Sequence, residues 1–266
     1  MIDEEEKMIP VERHQIILNN LNLYGRITIQ ELLDQLKVSK QTIRRDLDYL
    51  ENQGKLTKVH GGAVVKVISE KFEAPFHERL KVNIEEKKRI GVRAAEMIQD
   101  GDVIAFGIGT TTLHVADNIR NKKNLTILLS CVRTLNSLIE LKRSGFFSGK
   151  IIFLAGEIDT DSMAGLGTLT LQNMNQFQVD KAFIGANGIT LEQGLSTYDI
   201  EDGNFLKKII SISKEVNLVI DHSKIGISSL YQFATINKIQ NIISAGDVPE
   251  DWKEVFEEKN IQWITV

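Results

Sequence analysis

The chain of 266 residues is 42% hydrophobic and 26% charged, with a formal net charge of −4. Its length accommodates about two domains with buried cores, and its composition excludes collagen-like, low-complexity and wholly disordered classes. The single cysteine, Cys131, excludes an intrachain disulfide, and every apolar run falls far short of the roughly 20 residues of a membrane-spanning helix. Residues 1–7 are acidic and lack the apolar stretch of a leader peptide, so a cytoplasmic protein free of the membrane is expected. The five histidines do not group with Cys or carboxylates at metal-ligand spacing, so no metal and no cofactor are expected. Overall acidity argues mildly against a nucleic-acid partner, but the local balance does not. Lys37 to Lys66 holds seven bases (Lys37, Lys40, Arg44, Arg45, Lys55, Lys58, Lys66) against three acids (Asp46, Asp48, Glu51), a balance of +4.

In chain order, Val11 to Leu23 carries Ile16, Ile17, Leu21 and Leu23 and predicts a first helix, ended by Gly25. A second helix is expected over about 28–36, within the run Ile27 to Leu36. Thr28 and Glu31 fit a capping box, each side chain satisfying the other's backbone N–H. After the short Lys37-Val38 connection, Ser39 is a good N-cap for a third helix over about 40–53, with Ile43, Leu47 and Leu50 on its apolar face. Lys40, Gln41, Thr42, Arg44 and Arg45 fall largely outside that face. They are side-chain types suited to a major groove: Arg or Lys for guanine, Gln for adenine, a Thr methyl for thymine. Gly54 suits the left-handed position after a helix. Leu56 to Val65 alternates weakly around His60-Gly61-Gly62-Ala63 and reads as a β-wing, its glycines permitting a turn and close approach to a phosphate backbone. The expected unit is a winged helix-turn-helix over 10–65, with the helix-turn-helix motif at about 27–46. Its candidate DNA-binding residues are Thr28, Ser39, Lys40, Gln41, Thr42, Arg44, Arg45, Lys58, His60 and Gly61.

Thr42-Ile43-Arg44-Arg45-Asp46-Leu47, followed by His60-Gly61-Gly62-Ala63, resembles the N-terminal signature of the DeoR family of bacterial transcription regulators, and the resemblance extends over nearly the whole chain. The hexapeptide together with the downstream His-Gly-Gly-Ala is specific; either half alone is less so.

Residues 66–82, charged and containing Pro75, read as a linker that packs on a second domain spanning 83–266. Asn83 is expected to cap a helix running to about Gln99, with Ile84, Ile90, Ala94, Ala95 and Ile98 facing inward. From Gly101, short apolar runs alternate with helical stretches: Val103–Phe106, Thr126–Leu129, Ile151–Leu154, Lys181–Gly185, Leu218–Ile220, Asn241–Ser244 and Ile261–Val266. This predicts an α/β domain with a mainly parallel sheet covered on both faces.

Phe106-Gly107-Ile108-Gly109-Thr110-Thr111-Thr112 follows the first of these strands and precedes a helix over about 113–120. A Gly-rich strand-to-helix turn offers backbone N–H groups at the positive end of a helix dipole, an arrangement that binds phosphate or carboxylate. It is neither a Walker A loop nor a full dinucleotide fingerprint, since no Gly-Lys-Ser/Thr follows and Thr112 stands at the last glycine position. Further polar loops follow the other strands, where open α/β sheets place ligands. Ala155-Gly156-Glu157, Ala164-Gly165-Leu166-Gly167 and Asp221-His222-Ser223-Lys224 are among them. Lys224 is a natural partner for a phosphate, and Asp221 for sugar hydroxyls or for that lysine. The candidate effector-binding residues are Gly107, Gly109, Thr110, Thr111, Thr112, Gly156, Gly165, Asp221 and Lys224.

The family resemblance continues here in Gly109-Thr110-Thr111, Asp180-Lys181-Ala182-Phe183-Ile184-Gly185, Asp221-His222-Ser223-Lys224 and, before the apolar run of the helix that Asn83 begins, Glu86-Lys87. It implies a sensor domain related in fold to ribose-5-phosphate isomerase and coenzyme A transferases, with a phosphorylated sugar or related metabolite as effector. The chain departs from the family pattern at Gly107-Ile108, Ser130-Cys131, Ala155 and Ser244-Ala245. The phosphate end of the pocket is therefore expected to be kept and the carbohydrate-facing end to be changed.

The function expected is a transcriptional repressor of carbohydrate-metabolism genes, without catalytic residues. Its partners would be double-stranded operator DNA, the metabolite, and further copies of itself as a homodimer or homotetramer. The alternative is a sugar-phosphate isomerase with Asp221 and Lys224 as acid and base and a DNA-targeting domain. Gly107, standing where an acid is common, removes one candidate base and counts against it.

Overall fold

The computed structural model describes residues 8–24, 26–53, 55–59, 61–65 and 73–266. Gly25, Gly54 and His60, assigned above to a helix end, a left-handed cap and the wing, lie outside the described residues, as does 66–72. The chain divides into two compact units, 1–70 and 71–266.

The first unit holds α1 (Pro10–Tyr24), β1 (Arg26–Thr28), α2 (Ile29–Leu36), α3 (Lys40–Asn52), β2 (Leu56–Val59) and β3 (Gly62–Val65). Ile17 and Leu21 of α1, Leu32 and Leu36 of α2, and Ile43, Leu47 and Leu50 of α3 meet Leu56 and Ala63 in one buried cluster. The wing is an antiparallel β2–β3 pair, and β1 joins it to make a sheet of order β1-β3-β2. This corrects the second helix: Ile27 belongs to a strand paired with Ala63, and the helix begins only after Thr28. Thr28 serves both elements. Its extended backbone (φ −93°, ψ 155°) ends the strand and is also the geometry an N-cap requires. The third strand also explains a wing glycine. A Cβ on Gly62 would lie 2.1 Å from the Ile27 carbonyl oxygen, so the close approach is to β1 rather than to DNA. Gly61 is the turn residue, at φ 88°.

The second unit opens with α4 (Phe76–Arg79) and α5 (Ile84–Glu96). Seven parallel strands follow: β4 (Val103–Phe106), β5 (Lys122–Leu129), β6 (Phe147–Phe153), β9 (Val179–Ile184), β12 (Ser213–Ile220), β14 (Asn241–Ser244) and β15 (Gln262–Thr265). They are the seven apolar runs of the sequence, in spatial order β15-β14-β12-β9-β4-β5-β6. Between them lie α6 (Thr110–Asp117), α7 (Val132–Arg143), α8 (Thr168–Met174), α9 (Ile200–Ile212) and α10 (Lys253–Glu258). Alternate strand residues feed two cores, as the period of two requires. Ile104, Phe106, Ile127, Phe183 and Val219 pack with Ile90, Val115 and Leu138 on one face. Ala105, Leu128, Ala182, Ile184 and Leu218 pack with Phe205, Leu206 and Ile209 on the other. Five short strands were not anticipated: the hairpin β7 (Glu157–Asp159) and β8 (Ala164–Leu166), and a small sheet of β10 (Gly188–Thr190), β11 (Gly194–Thr197) and β13 (Tyr231–Ala234).

Residues 73–82, read as a linker that packs on this unit, do pack on it: Phe76 is buried, its N–H donates to Asp161 O at 2.8 Å, and Glu73 pairs with Arg79 at 2.7 Å. Two expectations about the helix that follows change. Asn83 precedes α5 in a left-handed conformation (φ 51°) and does not cap it through its side chain. Ile84 is exposed, whereas Ile90, Ala94, Ala95 and Ile98 are buried as expected.

The chain leaves β4 for β5 and β6 on one side, then returns to place β9 on the other. The carboxyl ends of β4 and β9 therefore flank the point where strand order reverses, where open α/β sheets hold ligands. No helix among the described residues is long and apolar enough to cross a membrane.

Candidate functional site

In the first unit, α3 presents two chemically distinct faces. Ser39 caps it, accepting from the Thr42 N–H at 3.1 Å. Ile43, Asp46, Leu47 and Leu50 are buried, while Lys40, Gln41, Arg44 and Arg45 are exposed and Thr42 is half-buried beside the cap. Asp46, an acid inside the motif, faces inward. It accepts from Arg13 Nε at 2.7 Å and Nη2 at 3.0 Å, and lies 3.1 Å from His14 Nε2. This charge-assisted clamp fixes α1 across the back of α3 and leaves the cationic face outward. The only sequence trace of that role is an acid set among bases.

Two more expected DNA ligands, besides Ser39 and Thr42, have protein partners. The Thr28 hydroxyl completes the capping box, accepting from the Glu31 N–H at 3.2 Å and donating to Glu31 Oε2 at 2.8 Å. Lys58 donates its ammonium to Asp48 of α3, and its N–H goes to Glu51 Oε1 at 2.8 Å. The bond to Asp48 raises the Lys58 pKa. The wing lysine is thus tied to the recognition helix rather than held out as a free cation.

In the second unit, the 107–112 loop runs from β4 into α6. The N–H of Gly107 is committed to Phe183 O at 2.8 Å, and a Cβ there would meet Leu206 at 3.0 Å and the Ile184 backbone at 3.2 Å. Gly107 therefore joins the loop to β9. The Thr112 hydroxyl is also committed, lying 3.0 Å from Gly107 O and 2.9 Å from Gly109 O, so it braces the loop. The first N–H groups of a helix lack intrahelical acceptors. Here Leu113 is the first helical donor, to Gly109 O at 3.2 Å, leaving the Thr110–Thr112 turn to supply donors. Gly156 and Gly165 answer a packing need: a Cβ on Gly156 would lie 2.0 Å from Thr170 Oγ1, and one on Gly165 would lie 3.1 Å from Gly156 N.

At the end of β12, Asp221 is 2% exposed and heavily bonded, accepting from Asn83 Nδ2 at 2.9 Å and from Ser223 N at 3.0 Å. Burial alone would push its carboxyl up. Lys224, the Ser223 hydroxyl, Lys87 and the Asn83 amide outweigh that and hold it below its ordinary value. Lys87, a residue with no role assigned from sequence, is buried, with its ammonium on Arg79 O at 2.7 Å. Its pKa falls to about 8, chiefly through burial; Asp221 opposes the shift, while Lys224 and Arg79 reinforce it. Next to it, His222 Nδ1 lies 2.7 Å from Glu86 Oε1. Glu86, Asp221 and His222 could together offer three ligand atoms to a cation, but Lys87 and Lys224 act on Asp221 and make the position hostile to one. Nearer β5, Ser130 Oγ and Thr134 Oγ1 are buried without hydrogen-bond partners. Buried polar atoms normally have partners, so these two hydroxyls are open to a water or a polar ligand.

The first unit thus presents an exposed basic helix face, and the second gathers charged and polar groups at the carboxyl ends of its strands. The DeoR-like helix-turn-helix domain matches residues 13–68, and the DeoR C-terminal sensor domain matches residues 82–245. The chain belongs to the DeoR family. A transcription regulator named FruR from Bacillus subtilis (strain 168) is 33% identical over 254 residues, covering 96% of this chain and 98% of its own. The glycerol-3-phosphate regulon repressor of Escherichia coli (strain K12) is 31% identical over 255 residues, with the same coverage. Among solved structures, ribose 5-phosphate isomerase from Plasmodium falciparum aligns over 52% of each chain with 18% identity and a TM-score of 0.38. This DeoR-family protein is thus a DNA-binding transcription regulator and not an enzyme; the isomerase alternative is not favoured.

Proposed function

We propose that this DeoR-family protein is a repressor of sugar-metabolism genes, released from DNA when a phosphorylated sugar or related metabolite binds at the C-terminal edge of its parallel sheet. The observation that carries the reading is the convergence of Lys87 and Lys224 on Asp221 at the end of β12, the strand next to the β9–β4 reversal from which the chain enters α6. Both lysines act on Asp221 and offset its charge and that of Glu86 beside it, so their ammonium groups are available as charged donors to an added anion. The free first-turn N–H groups of α6 would hold phosphate oxygens. The orphaned hydroxyls of Ser130 and Thr134 would meet polyol hydroxyls. The name of the glycerol-3-phosphate regulon repressor supports the ligand class. On the DNA side, Gln41, Arg44 and Arg45 would read base edges from the exposed face of α3.

The test is a thermal-shift screen of the full-length protein against sugar phosphates, each paired with its dephosphorylated sugar. A true effector at 100 times its Kd stabilises by about 2.7 kcal/mol, and the unphosphorylated sugar should not. Stabilisation by the bare sugar to the same degree would remove phosphate from the proposal. Because an anion restores charge to Lys87, affinity for the phosphate should fall as pH rises through about 8.

A further inference from the structure

Hydrogen-bond accounting singles out an acid on α9 that the proposed effector site does not use. Asp202 is buried in the first turn of that helix, and its Oδ1 has no partner. Its Oδ2 lies 3.1 Å from Thr197 Oγ1, and the same hydroxyl lies 2.8 Å from Asn187 Oδ1. A threonine hydroxyl has one proton to give. The Asn187 amide cannot be reversed to supply another. The Tyr198 N–H donates to Oδ1 at 3.3 Å, and Nδ2 donates to Glu73 Oε1 at 2.6 Å, a carboxylate oxygen that only accepts. Both contacts are hydrogen bonds at once only when Thr197 donates to Asn187 and Asp202 brings the proton of the second bond.

Protons then run in one direction, from Asp202 to Thr197 to Asn187. The Asn187 amide in turn holds Glu73, which also pairs with Arg79 at 2.7 Å. Glu73 opens the 73–83 segment, the described stretch through which the chain enters the second unit after the wing. Other points of this segment rest on the same sheet edge: Phe76 packs with Leu113 and Cys131, and Asn83 reaches Asp221.

We propose that Asp202 is held as a neutral carboxylic acid and, through Thr197 and Asn187, anchors a latch that fastens the 73–83 segment to the C-terminal edge of the sheet; ionisation of Asp202 unfastens it. An ionised Asp202 either faces Thr197 lone pair to lone pair or takes the proton that Asn187 was using, so one bond of the chain is lost in both cases. Burial pushes the carboxyl up to about 8, and the Glu73 carboxylate and Asp199 push the same way, against Thr197 and Arg79. On β13, Tyr231 packs against Gly203 with its hydroxyl turned to Asn204 and Lys207. The charged groups facing Asp202 are thus Glu73 and Arg79 from the segment and Asp199 from its own helix end. The latch requires neither effector nor DNA, so its failure and that of the effector proposal are distinguishable.

The experiment is amide hydrogen exchange on the full-length protein, free of ligand and DNA, from about pH 6 to about pH 10, with the intrinsic base-catalysed rate divided out. Protection of residues 74–82 should fall at least about tenfold as pH rises through the titration, while β9 stays protected. Asp202→Asn places an N–H donor where the acid proton stood; it should keep the segment protected with no break across that range. Thr197→Val should leave it unprotected throughout. Infrared spectra should show the carbonyl stretch of a protonated carboxylic acid at low pH that Asp202→Asn lacks. A flat wild-type profile, or the same break in Asp202→Asn, would overturn the latch even if Thr197→Val failed to fold.

Discussion

Single residues decide which face of the recognition helix meets DNA. Asp46 is the one acid of α3 that is buried, and its bonds to Arg13 hold the clamp behind the basic face. Removing one member of a buried ion pair leaves the other uncompensated, so Asp46→Ala should destabilise the first unit by about 3 kcal/mol. Urea unfolding followed through that unit checks this; a change below about 0.5 kcal/mol would make the clamp incidental. On the opposite face, Arg44→Ala and Arg45→Ala should each weaken specific binding by about 1–3 kcal/mol without lowering stability, measured by operator titration beside thermal melts. Asp202 supplies a pH signature with a definite sign. Its folded value of about 8 stands above the ordinary 3.8, so between those values the folded protein holds a proton that the unfolded chain has lost. Its contribution to stability is full below about pH 4, falls as pH rises, and is gone above about pH 8. Asp202→Asn should flatten that part of the stability profile. Such roles are poorly legible in sequence because they depend on distant partners. Asn83 was assigned as a helix cap, the local reading; its amide instead serves Asp221, 138 positions away.

Elements were legible where burial writes a strong pattern. All seven strands of the parallel sheet were read as apolar runs, because each is covered on both faces and feeds two cores. The strands that escaped notice are three or four residues long and pair in two small separate sheets; Gly, Ser or Thr interrupt any apolar run in β8, β10 and β11. β1 escaped for another reason: Ile27 and Thr28 fit both a strand end and a helix entry, and only pairing with Ala63 and Gly62 decides between them. That pairing gives a sharp test of the wing. Gly62→Ala puts a methyl 2.1 Å from the Ile27 carbonyl oxygen and should cost about 1–3 kcal/mol, with β1 losing exchange protection first. Equal stability in the variant would mean that β1 does not close on the wing. In the 107–112 loop, the glycines and threonines were legible as a group, but their division of labour was not. Gly107 and Thr112 hold the loop to β9 and to itself, which leaves Thr110 and Thr111 at the helix entrance.

For the whole molecule, the DNA reader and the sensor are separate compact units on one chain. A ligand bound in one controls DNA binding by the other only if it favours one state over another, and the coupling is reciprocal. Two-fold operators further require two recognition helices about one DNA turn apart, so at least a dimer is expected. Light scattering with and without operator checks this, and a monomer in both would contradict it. The most direct measurement is operator affinity of wild-type protein and Lys224→Ala across a titration of the sugar phosphate that gives the largest thermal shift. Wild type should lose at least about tenfold in operator affinity, a coupling of about 1.4 kcal/mol, while Lys224→Ala should bind operator equally well and fail to release it. Release of DNA by Lys224→Ala at the wild-type effector concentration would contradict the placement of the effector beside Asp221 and Lys224.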